Sequence, residues 1–130
     1  MKINYQNLYE NLGRLFYAIA AADQHVHREE VEKLKTLVGK EWLPLENSTD
    51  SFGTDAAHYI SIAFEYCLSE NISSEDAYTL FSTYYEEHEA SITKELKRKI
   101  KTTASAIANA FAGKNKKEQK VIDELSRLLK

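Results

Sequence analysis

The stretch Leu15 to Val38, LFYAIAAADQHVHREEVEKLKTLV, decides the fold. Upstream of Asp23, residues Leu8, Leu12, Leu15, Phe16, Ile19 and Ala22 recur at spacings of three and four, the period of one buried helical face. Asp23 and Gln24 stop that pattern, so a first helix is expected from about Tyr5 to Ala22. Downstream, His27 takes the N-cap position of a second helix and Glu30 its N3 position, from which a carboxylate can reach back to an unpaired backbone donor. Val26 and Val31 occupy the positions of a hydrophobic staple. This helix is expected from Arg28 to about Trp42, burying Val31, Leu34, Leu37, Val38 and Trp42 before Pro44 ends it. Two helices joined by so short a loop fold back as an antiparallel hairpin.

The residues Ala20, Ala22, Asp23, Glu29, Glu30 and Leu34 resemble the signature of the TerB-like family, small all-helical domains associated with tellurite resistance and related stress systems. Gln24 stands where that family usually carries Gly, a residue that takes positive φ at no steric cost. The resemblance implies an all-α bundle of about six helices, built from two repeated hairpins, and a non-enzymatic role in stress response.

An internal repeat points the same way. Sliding the sequence by 88 residues lays Ala18, Ile19, Ala20 and Ala22 on Ala106, Ile107, Ala108 and Ala110, Glu30 on Glu118, and the cap His27 on Asn115. The expected organisation is a first repeat over about 5–42, middle helices over about 54–88 and a second repeat over about 91–130, all in one domain. In the middle, the Ser- and Asn-rich segment 45–53 reads as a loop and Thr54 as a cap. The third helix then buries Ala57, Ile60, Ala63, Phe64, Cys67 and Leu68 and leaves His58 at the surface. Ser73 opens a fourth, with Ala77, Leu80, Phe81, Tyr84 and Tyr85 inward. The fifth should be the longest, from about Ser91 to Ala112, with Ile92, Leu96, Ile100, Thr103, Ile107, Ala110 and Phe111 on its buried side. Gly113 ends it, and Asn115 with Glu118 opens the sixth, whose face is Val121, Ile122, Leu125, Leu128 and Leu129.

Composition restricts the function classes. The chain has 130 residues, enough for a core without staples. Its lone cysteine, Cys67, excludes an internal disulfide framework, suits a reducing compartment and falls on an apolar face as an inert thiol. No apolar run approaches the roughly 20 residues of a membrane span, and the amphipathic N-terminus lacks the apolar core of a signal peptide. A cytoplasmic location is therefore expected. The net charge of -3 conceals an asymmetry: residues 41–93 contain eleven Asp or Glu and no Lys or Arg, whereas residues 94–130 contain eleven Lys or Arg against four acids. Either the two blocks neutralise each other within the molecule, or they form separate faces for partners. Lys94, Lys97, Arg98 and Lys101 make a basic stripe, an ordinary solvated face or a contact for an anionic membrane surface. Without aromatic interleaving or a recognition motif, nucleic acid is not expected.

The candidate site is the loop itself. Asp23, His25, His27, Glu29 and Glu30 place three carboxylates and two imidazoles within eight residues. Mixed nitrogen and oxygen donors suit zinc, nickel or manganese better than calcium, and an EF-hand is excluded because its glycine position holds Arg28. Each residue also has a local structural task, Asp23 pinning the turn, His27 capping, and Glu29 and Glu30 complementing the helix dipole. There is no nucleophile beside a histidine, no phosphate-binding glycine loop and no expected pair of carboxylates in an apolar pocket, so no enzymatic activity is expected. Two functions remain: a TerB-like interaction module with a divalent metal at the loop, or a ligand-free helical adaptor whose acidic face, residues 41–93, docks a basic protein.

Overall fold

The computed structural model describes residues 4–42, 57–110 and 116–130. Among them stand six α-helices and no strand: α1 (Tyr5–Ala20), α2 (Arg28–Leu37), α3 (His58–Ser69), α4 (Ser74–His88), α5 (Lys94–Ala108) and α6 (Lys116–Leu128). The expectations for Pro44, the 45–53 loop, Thr54, Phe111, Gly113 and Asn115 lie outside the described residues.

Helix α1 is the hub, packing against α3, α4, α5 and α6. Its residues from Leu15 to Ala20 are all buried, which requires neighbours on every side of the helix. Gly13 permits a close approach to α3. A Cβ there would stand 2.7 Å from the Ala63 Cβ and would also collide with the Ile60 carbonyl, so α3 lies nearer to α1 than any larger residue would allow.

Helix ends follow their local chemistry. Asn4, Ser73 and Thr93 cap α1, α4 and α5 by accepting from the backbone N–H three residues on, at 3.1 Å in each case. Helix α3 closes with Asn71 in the left-handed region, φ 53°, where the Ile72 N–H reaches the Cys67 carbonyl and the Asn71 N–H the Leu68 carbonyl, a Schellman arrangement. The turn after it is tied to the hub, because the Tyr17 hydroxyl donates to the Ile72 carbonyl at 2.6 Å and the Ser74 hydroxyl to the Ala18 carbonyl at 2.7 Å. Helix α2 runs on into a π-helical turn, Val38–Trp42. That turn delivers Trp42 fully into the core, edge-on to Tyr9 and with its indole N–H donating to Thr103 of α5 at 3.1 Å.

Several expectations need correction. Helix α1 stops at Ala20, two residues early, as the chain turns towards Asp23. Helix α5 begins at Lys94, not Ser91, because Thr93 has the extended backbone of a cap while Ser91 lies in a 3₁₀ turn. At 15 residues it is shorter than the 16-residue α1. Leu68 and Leu80, expected in the core, are 41% and 47% exposed. Each lies at the edge of its helix's apolar arc, where period alone does not say how far the neighbouring helix reaches. Val121 and Leu128 are only partly buried.

Candidate functional site

The loop between α1 and α2 is built by backbone hydrogen bonds and one unusual dihedral. The Ala21 N–H returns to the Tyr17 carbonyl at 2.8 Å and the Gln24 N–H to the Ala21 carbonyl at 2.9 Å. Gln24 then takes φ 71°, the left-handed conformation that glycine adopts without strain. Asp23 Oδ1 accepts from the His25 N–H at 3.0 Å, an Asx turn, and its Oδ2 stands 3.7 Å from His27 Nε2. The His25 and His27 rings lie 6.2 Å apart. Glu30 Oε1 accepts from the His27 N–H at 2.8 Å, the return arm of the capping box.

The five sequence candidates thus divide. Asp23 and His27 approach one another, His25 is exposed beside them, and Glu29 is exposed over a shallow hollow of about 460 Å³ that also contacts Ala106 and Asn109 of the α5 end. Glu30 is fully buried. Among the described residues no three His, Cys, Asp or Glu side chains are disposed to hold a metal ion.

The partner of Glu30 is Glu118 of α6, itself only 2% exposed. Burial, then the hydrogen bond to Glu118, push the Glu30 carboxyl up to about 9, against the lowering effect of the His27 N–H. Two ionised carboxylates would leave Glu30 Oε2 without a donor. One proton held between the pair supplies it. Glu118 was not among the candidate residues. The 88-residue shift aligns it with Glu30, but local reading assigns both to helix caps, and only the fold brings the two together.

Among the described residues a single ion pair joins the acidic block to the C-terminal basic block, Lys99 to Glu41 at 3.7 Å. In the basic stripe Lys97 is half-buried over the Tyr85 ring, 5.8 Å from its centroid. Arg98 faces Glu95 of its own helix at 3.7 Å, and Lys94 is exposed. On the acidic side, Ile62 and Tyr66 are 55% and 61% exposed, one turn apart on α3. A cleft of about 1000 Å³ opens beside α4 and α6, with Val26, Ile72 and Val121 among its apolar lining and His25, Lys117 and Lys120 among its polar lining. Cys67 is buried, and burial pushes its thiol up.

Comparison with known proteins finds no matching family model, no similar curated protein and no similar solved structure.

Proposed function

We propose that the chain is a non-enzymatic interaction domain of TerB-like, stress-response type that docks a basic partner on the outer surface of α3 and α4. One observation carries this reading. The four exposed large apolar side chains among the described residues, Ile62, Tyr66, Leu68 and Leu80, all lie on those two helices, inside the block that has eleven acids and no cation. A single exposed apolar side chain is ordinary. Apolar anchors among like charges are the composition of a surface that recognises a cationic amphipathic partner, steered in by charge and held by apolar burial.

The family reading is supported by the motif residues Ala20, Ala22, Asp23, Glu29, Glu30 and Leu34 and by the pairing of positions 88 apart. Leu8 and Leu96, Leu12 and Ile100, Ile19 and Ile107, Leu34 and Ile122, and Glu30 and Glu118 are all buried, as expected of two hairpins with the same inward face. A cytoplasmic location fits the chain, in which no helix among the described residues is long and apolar enough to cross a membrane.

A second reading, a divalent ion at the loop, rests on the approach of Asp23 to His27 with His25 alongside. Zinc, nickel or manganese would then raise the melting temperature of the wild type and not of His25→Ala.

The docking reading is tested by titrating a labelled amphipathic peptide of lysine and leucine. Binding is expected at low ionic strength, with at least about tenfold loss near 1 M salt, where the screening length is about 3 Å. Ile62→Ser with Tyr66→Ser should weaken it by a similar factor. No binding at low salt, or equal binding by that variant, would sink the proposal.

A further inference from the structure

The occupant of the α3 surface can be specified further, on the premise of the docking reading above. We propose that it is a second copy of the chain: Ile62 and Tyr66 of one copy enter the cleft beside α4 and α6 of the next, bringing Glu65 and Glu70 to Lys117 and Lys120.

Charge argues for a copy as the partner. The molecule carries an acidic block and a basic block, and among the described residues only the pair Lys99 to Glu41 joins them internally. Among the described residues each block thus keeps exposed charge that the other does not neutralise, and a complementary surface is at hand on another copy. The same charges exclude the twofold alternative. Two α3 surfaces face to face would bring Glu65 and Glu70 against their own counterparts.

Shape and polarity agree. Ile62 and Tyr66 project from α3, whereas the cleft, about 1000 Å³, is a concavity with Val26, Ile72 and Val121 in its lining. Leu68 at the end of α3 is part of the lining, whereas neither Ile62 nor Tyr66 is, so the Ile62 and Tyr66 pair of one copy is free to enter the cleft of another. Of the acids in the cleft, Glu124 lies with Arg127 about Tyr78 and Glu75 sits in the first turn of α4, where the helix dipole favours it. Lys117 and Lys120 are exposed, and neither makes an ion pair among the described residues, so their charge is directed to solvent. Glu65 is half exposed in its pair with Lys35, and Glu70 is exposed. Because the two contact surfaces differ, a pair joined through one stripe and one cleft keeps one of each free, and the assembly grows head to tail, into a ring where the rotation closes and an open chain where it does not.

Sedimentation velocity tests this with two variants at exposed positions, Ile62→Lys with Tyr66→Lys, and Lys117→Glu with Lys120→Glu. The wild type should exceed 14.9 kDa at low salt, its mass rising with loading, and return to the monomer near about 1 M salt. Each variant alone should stay monomeric. Mixed in equal amounts they should form a species of twice 14.9 kDa and nothing larger, since one retains only the cleft and the other only the stripe. A wild type that is monomeric at every loading, a variant that still self-associates alone, or a mixture that stays monomeric overturns the inference. A monomeric wild type that nevertheless binds the lysine and leucine peptide through Tyr66 removes the second copy and leaves the docking reading intact. Excess peptide should dissolve the wild-type chains, because it takes the same stripe.

Discussion

Asp23 and Glu30 flank the same histidine, and the fold treats them in opposite ways. Asp23 stays partly in water, its oxygens directed to the His25 N–H and the His27 ring. Glu30, one helical turn into α2, is sealed from solvent against Glu118. Both make the backbone hydrogen bond that local rules assign to them. What separates them is a residue 88 positions away, and the consequence is large: one carboxylate holds a turn, while the other must keep a proton to remain where it is.

The sharpest way to break this contrast is pH. With a folded value of about 9 against an ordinary 4.5, Glu30 is protonated in both states at the acid end, and there its burial carries no ionisation penalty. As pH rises, the unfolded chain releases a proton that the folded chain retains, so stability falls by up to about 1.4 kcal/mol per pH unit and levels off above the folded value. Denaturant unfolding between pH 5 and pH 9 should show a loss of a few kcal/mol. Glu30→Gln should flatten that slope and, at pH 8, exceed the wild type by about 2 kcal/mol, because the amide cannot ionise and still offers an oxygen to the His27 N–H. A wild type with level stability over this range, or a glutamine variant weaker at pH 8, would show that the buried pair carries no such proton.

Much of the architecture was legible. The first two helices, the Ser73 cap, the apolar face from Ala57 to Cys67 and the deep burial of Trp42 all follow from period and capping chemistry, which act over a few residues, whereas the packing of α2 on α5 does not. The misreadings have a common cause. Leu68 and Leu80 carry the same periodic signal as their buried neighbours, but whether the edge of an arc is covered depends on how far the next helix extends. Glu118 reads locally as a cap glutamate. Its role as the partner of Glu30 is set by the packing of α6, which no window of sequence contains. The candidate site was legible in its hydrogen bonds and not in its burial.

Gln24 sharpens the contrast from the exposed side. A non-glycine residue in the left-handed region costs roughly 1 to 2 kcal/mol, while a glycine gives back about 0.5 to 1 kcal/mol through the freedom of the unfolded chain. Gln24, at φ 71° and exposed, should therefore gain about 0.5 to 1 kcal/mol on Gln24→Gly. Thermal unfolding at pH 6 and pH 8 should show the same increment at both, since the dihedral does not titrate. A destabilised glycine variant would mean that the side chain contributes a contact that offsets the strain.

The smallest effects belong to the loop's own polar groups, and their order separates a turn from a metal site. In a pinned turn, Asp23→Ala removes the acceptor of the His25 N–H and the neighbour of His27, a loss of about 0.5 kcal/mol for an exposed bond. His25→Ala removes only an exposed ring, because the hydrogen bond of that residue uses its backbone, and the change should stay within about 0.3 kcal/mol. Chemical unfolding in the presence of a chelator should place the two variants in that order. Adding zinc then reads the loop a second time. An ion held by Asp23, His25 and His27 would raise the wild type alone and make the two losses equal, because either variant removes a ligand. If the order survives zinc unchanged, the loop is a capped turn whose polar residues hold the entry to α2.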